Sequence, residues 1–284
     1  MSVPRSSLPT LSIVLIGLLS GCQTTDDHPP FTAACEGKCP VFPGIGVGMG
    51  SGNAGASSMN PDPDAGIGTL QGNVLLLTDD SFAQATLFTG LATVSADGAN
   101  GSPVTAKWDG HPPADPFMLE AVARVATNWL SVKPEQAGDA LPTYQAVQTN
   151  QVTNVNLGMV SSTVLDGIFN KISSIRSPDS GQAVLFFRNA GTGVPLSGLH
   201  ASMVTAQAAI YSTATGWVLD DGTALTSKDG LVVFGNVEPA NSSGTQMVTI
   251  TRAATATSPA AAAGQFPVRI VQGAVTVAGI DVQL

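Results

Sequence analysis

The chain has 284 residues, 43% of them hydrophobic and only 11% charged, with 11 basic against 20 acidic side chains and a formal net charge of −9. An acidic body repels nucleic acid and anionic lipid, so neither DNA nor RNA is an expected partner. Gly, Ala, Ser, Thr and Val dominate, a mix that suits β-sheet with many turns and few helices.

Residues 1–21 have the three parts of a secretory signal. Arg5 is the lone positive charge, Leu8 to Leu19 is apolar, and Ser20-Gly21 supplies small residues at the foot of the run. The apolar stretch is short of the ~20 residues that a spanning helix needs. It closes on Leu19-Ser20-Gly21-Cys22, which resembles the lipobox of bacterial lipoproteins. That resemblance implies cleavage before Cys22 and lipid attachment there, palmitate included. Because Gln23 and not Asp follows, it also implies an outer-membrane location in the cell envelope. Each buried methylene contributes roughly 0.8 kcal/mol, so two or three acyl chains hold a protein to a membrane. The competing reading is an ordinary signal with an incidental cysteine.

Residues 22–67 read as a flexible, disordered tether. Gly44 to Gly55 offers few side chains to bury, and Asn60-Pro61-Asp62-Pro63-Asp64 adds stiffness and charge. Cys35 and Cys39 are the pair left once Cys22 goes to lipid, and in an oxidising compartment a short-loop disulfide is expected. A zinc site there would find only His28 nearby. A calcium loop starting at Asn60 fails at its sixth position, Ala65, and its twelfth, Gln71.

From residue 68 to 160 short apolar runs predict a first β-sandwich. Strands are expected at Leu70 to Thr78, Leu87 to Val94, Val104 to Trp108, Asn128 to Val132 and Val152 to Val160. Phe117 to Val125 fits either a strand or a helix. Residues 161–180 form a helix and linker: Val164, Leu165, Ile168, Phe169, Ile172 and Ile175 recur at helical spacing, with Ser161 or Ser162 as cap. That apolar stripe packs on its own domain or binds a partner.

A second β-rich unit, 181–284, opens with Gln182 to Arg188 and ends with Ala274 to Leu284, with Leu199 to Tyr211, Val248 to Thr251 and Phe266 to Ile270 between. Asp229-Gly230 reads as a tight hairpin turn before the buried run Leu231-Val232-Val233-Phe234. The stretch Thr226 to Pro239, with Val194-Pro195-Leu196-Ser197-Gly198-Leu199 before it, resembles the carboxypeptidase-regulatory-like domain. That resemblance implies a transthyretin-like β-sandwich with a structural or recognition role and no catalytic residues. Leu231 stands where the family often has Phe, and Thr255 to Gly264 is an Ala-rich insertion. Leu70 to Phe117 spans 47 positions and Gln182 to Leu231 spans 49, so the first unit reads as a divergent copy of the second. The fold class expected is mainly β: two tandem transthyretin-like or Ig-like sandwiches with one amphipathic helix between them.

No nucleophile–base–acid constellation is evident. His28, His111 and His200 lie in unrelated contexts, and the acidic doublets of the β-rich body, Asp79-Asp80 and Asp220-Asp221, fall at turns. Of Trp108, Trp129 and Trp217, the last is expected to be accessible and the others to pack in cores. The residues singled out for ligand contact are therefore Trp217, Asp220 and Asp221. The expectation is a non-enzymatic surface lipoprotein without cofactor, held to a membrane by lipid and meeting a protein or glycan partner in the envelope. The alternative is a polysaccharide-acting hydrolase or carbohydrate-binding accessory using those three residues.

Overall fold

A computed structural model gives the fold and describes residues 66–136, 138–239, 244–253 and 261–283. The signal, Cys22, His28, the Cys35 and Cys39 pair, and the tether up to residue 65 lie outside them. The chain is mainly β. The first half contains β1 (Ile67–Leu77), β2 (Ala85–Leu87), β3 (Leu91–Asp97), β4 (Pro103–Asp109), β5 (Phe117–Ala123), β6 (Asn128–Pro134), β7 (Thr143–Val147) and β8 (Asn154–Val160). After α1 (Ser162–Lys171) come β9 (Gly181–Asn189), β10 (Leu199–Met203), β11 (Ala206–Thr213) and β12 (Gly216–Leu219). The last four are β13 (Leu231–Val237), β14 (Thr245–Arg252), β15 (Ala261–Arg269) and β16 (Val275–Val282).

Each half closes into a β-sandwich, and the two use one strand arrangement. In the first, β1 pairs parallel with the last strand, β8, and antiparallel with β5. It faces a sheet running β7-β6-β3-β4. In the second, β9 pairs parallel with its last strand, β16, and antiparallel with β13, facing a sheet of order β15-β14-β10. The spacing from Leu70 to Phe117 thus runs from β1 to β5, as that from Gln182 to Leu231 runs from β9 to β13. Leu70, Val94, Trp108, Leu119, Leu130 and Leu157 fill the first core. Leu185, Phe187, Tyr211, Phe234, Ile250 and Ile280 fill the second.

The sandwiches are fused through a shared sheet. β7 pairs parallel with β16 from Thr143↔Val275 to Gln145↔Val277. This joins β4-β3-β6-β7 to β16-β9-β13-β11-β12 in nine consecutive strands. The covering layers lie on opposite faces. Val277, beside Gln145, packs with α1, on the side where Gln145 meets β8. Ala146, the next residue of β7, packs in the core under β10, β14 and β15.

Residues 161–180 are therefore more than a spacer. Leu165, Ile168 and Phe169 of α1 share a core with Val184, Val233 and Val275 of the shared sheet. Ser161 caps the helix, its hydroxyl accepting the Val164 N–H at 3.3 Å. Gly235 in β13 leaves the slot for the Phe169 ring: a Cβ there would stand 2.4 Å from Phe169 Cζ. The apolar stripe is consumed internally from Val164 to Ile172, whereas Ile175, beyond the helix, is exposed.

Several expected elements shift. Leu87 to Val94 splits into β2 and β3, and Phe117 to Ala123 is a strand. Part of the Ala-rich insertion, from Ala261, belongs to β15. Gly230 has φ +63, as the turn needs. Yet Asp229-Gly230 is no hairpin turn, because the strand it feeds, β13, pairs with β11 and β9 and not with β12 before it.

Candidate binding surface

Over β4, β3 and β6 the shared sheet is packed on one face only; on β7 the bare face extends to Tyr144, while Ala146 is covered by the second sandwich. The sheet's inner residues, among them Ala92, Val94, Trp108, Leu130 and Val132, are buried under β1, β5 and β8. The alternate residues point the other way and stay partly or fully exposed. Strand register sets them in rows. Thr105, Ser95, Ser131 and Tyr144 are successive cross-strand neighbours, a line of four hydroxyl groups running across the strands. Beside it lies a second row, Lys107, Thr93 and Lys133.

One end of the hydroxyl row abuts the second sandwich. The Arg269 guanidinium of β15 lies 5.1 Å from the Tyr144 ring centroid, a cation–π contact. Thr276, next to Tyr144 in register, is buried there and donates its hydroxyl to the Arg269 carbonyl. Half-buried Trp129 packs against the same core edge, so Trp129, Tyr144 and Arg269 form a step at the side of an otherwise flat face. Charges on the face and its rim balance. Lys107 pairs with Glu135 and donates to Thr93 Oγ1 at 3.1 Å. Asp109 accepts the His111 backbone N–H at 3.0 Å and meets the ring Nδ1 at 2.6 Å, which holds its carboxyl below the usual range.

A groove of about 260 Å³ opens at the rim, lined by Phe88, Leu91, His111, Pro134 and Asp139 among others. Asp139 is committed to α1. Burial alone would raise its pKa, but hydrogen bonds from the Ser161 and Thr163 hydroxyls, the Thr163 N–H and the Ser162 hydroxyl bring it to about 2.

The residues singled out from the sequence do not converge. Trp217, expected to be accessible, is only 9% exposed and belongs to the core beneath α1. Its N–H donates to Asp80 Oδ2 at 3.3 Å, and Asp80 pairs with Lys171 of the helix. Trp129, assigned to a core, is the half-exposed one. Asp220 lies on the opposite face from Trp217. One of its oxygens meets His200 Nε2 at 3.0 Å, and that ring stacks on buried Tyr211 at 6.1 Å. The other accepts the Gly222 and Ala224 N–H groups. Asp221 turns outward to the Thr223 hydroxyl and N–H, which lower its pKa. These are turn-forming carboxylates. Among the described residues no group of three His, Cys, Asp or Glu side chains could hold a metal ion. No described helix is long and apolar enough to cross a membrane.

The hydroxyl row went unremarked in the sequence. Its one signal was the alternation of polar Thr93, Ser95 and Asp97 with small apolar Ala92, Val94 and Ala96 along β3.

No known family's sequence profile matches the chain, and no curated protein matches it. Solved structures similar to it include the shaft pilin spaA from Lactobacillus rhamnosus GG, at 9% identity, covering 76% of this chain and 99% of that one, with a TM-score of 0.23. The Bacillus anthracis TIE protein matches at 14% identity over 76% of this chain and 34% of its own, with a TM-score of 0.23. A group B streptococcus pilus 2b backbone protein matches at 10% identity, covering 76% and 84%, again with a TM-score of 0.23. Likeness at this level assigns no function to the chain.

Proposed function

We propose that the protein is a non-enzymatic recognition or structural component of a bacterial cell envelope, lipid-anchored through Cys22, that presents the uncovered half of its shared sheet to a partner. The observation that carries this reading is the face itself. Four strands, buried on one side, hold a registered polar row, partly or fully exposed, on the other. A hydrolase using Trp217, Asp220 and Asp221 has less support, since those side chains lie on different faces and their carboxylates serve turns. The Leu19–Cys22 motif supports the anchor, and Gln23 after it supports the outer membrane. For 181–284, the positive φ of Gly230 ahead of fully buried β13 supports membership of the carboxypeptidase-regulatory-like class.

Two measurements test the proposal. Palmitate should label the wild-type protein, and Cys22→Ser should lose both the label and sedimentation with membranes after a high-salt wash. A photo-crosslinking amino acid at Ser95 should give adducts in intact host cells, whatever the partner's chemistry. The same probe at exposed Met247, on β14 of the second sandwich, should not. Equal adducts at both positions, or none at Ser95, would remove the open face from the account.

A further inference from the structure

Resting on the reading of the open half-sheet as the recognition face, we infer that its ligand is an extended, uncharged polysaccharide lying across the strands. Size comes first. Three seven-residue strands and the five-residue β7, about 4.8 Å apart and rising about 3.3 Å per residue, give a footprint of roughly 410 Å². A stable protein partner needs about 800 Å² on each side. The face is therefore small for a folded partner but long enough for an oligosaccharide.

Charge comes next. Lys107, Lys133 and Arg269 are offset by Asp97, Asp109 and Glu135, three against three. A polyanion gains no net attraction there, and an uncharged chain loses none. The face also lacks the deep aromatic anchors that dominate protein interfaces. Trp129 is half-buried against the second sandwich, and Arg269 already lies over the Tyr144 ring.

The spacing of the polar groups decides the orientation. Thr105, Ser95, Ser131 and Tyr144 each stand one strand apart, at about 4.8 Å. That is close to the advance of one sugar along an extended β-1,4-linked chain. Each hydroxyl, both donor and acceptor, then meets the polar edge of a successive sugar. The Trp129–Tyr144–Arg269 step forms a wall where the chain must end or turn.

Full-length protein should co-sediment with at least one insoluble neutral polysaccharide among cellulose, chitin and mannan, and not with alginate beads. Retention should survive a tenfold rise in salt, because no ion pairing drives it. The double variant Ser95→Arg/Ser131→Arg, which raises two bulky cations in mid-row, should lose at least tenfold in affinity, while Asp220→Asn binds like wild type. Equal melting temperatures would show that the variants are folded. The inference is overturned if no neutral polysaccharide retains the protein, if the double arginine variant binds undiminished, or if salt abolishes retention. Adducts at Ser95 that contain only polypeptide would also overturn it while leaving the open face as the recognition surface. Absence of any adduct at Ser95 would remove both.

Discussion

The side-chain oxygen of Gln145 accepts the backbone N–H of Gly158 at 3.1 Å, from one sheet of the first sandwich to the other. Thr143 Oγ1 does the same for the Val160 N–H at 3.3 Å. β8 is the outer strand of its sheet, so the N–H groups it turns away from β1 would otherwise be orphaned in the core. Replacing Gln145 by Leu should lower unfolding free energy by about 1–3 kcal/mol, the cost of leaving a buried donor unpaired. A urea titration reads it as a lower midpoint; an unchanged midpoint would mean the N–H finds another acceptor.

Gly235 and Phe169 are coupled by space alone. A methyl at position 235 would meet the Phe169 ring at 2.4 Å, so Gly235→Ala should cost about 1–3 kcal/mol through overpacking. Phe169→Leu should itself destabilise by leaving a partial cavity. Together the two should cost less than their sum, and thermal unfolding of the four-member cycle measures the difference. Strict additivity would show that the helix does not seat through this contact.

Asp139 should make stability fall in acid. Its pKa drops from 3.8 to about 2 on folding, so the folded state favours the carboxylate. The stability gained is present above about 3.8 and is lost as pH falls towards 2. The side chain is largely exposed, which keeps the effect near the ~1 kcal/mol of an ordinary helix-terminal charge or cap. Asp139→Asn should flatten the acid limb of a stability–pH curve over that window, and an unaltered limb would assign it to other carboxylates.

The tryptophans should differ in solvent access. Trp108 is 1% exposed and Trp217 9%, whereas Trp129 is half-buried on the open face. Single-tryptophan variants with the other two changed to Phe should therefore show the strongest acrylamide quenching for Trp129. Stronger quenching of Trp217 would mean that α1 does not cover it.

Much of the fold was legible in local pattern. β9, β13 and β16 announce themselves as apolar runs, Ser161 sits where a cap belongs, and the matched spacing of two strand pairs reflects a repeated arrangement. What escaped was set by distant contacts. Thr143 and Gln145 face inward along β7, so that strand shows no apolar alternation; its polar residues are there to serve β8, which only the folded chain brings near. Trp217 occupies a short edge strand with glycine before it, and it is covered by a helix almost fifty residues earlier and by Asp80 from the first half. Trp129 sits in an ordinary strand pattern, and its half-exposure follows from which face the second sandwich happens to leave bare. The seam of β7 and β16 joins a mid-chain strand to the last one, a pairing no local window contains.

That seam also governs how the chain could have been assembled or cut. Severed between β8 and β9, the first half would display a raw β7 border and the second a raw β16 border, each an invitation to stick to stray strands. Each module covers the other's border, so the pair is expected to melt in a single step, and any ancestor of the repeat needed a different way to hide those borders.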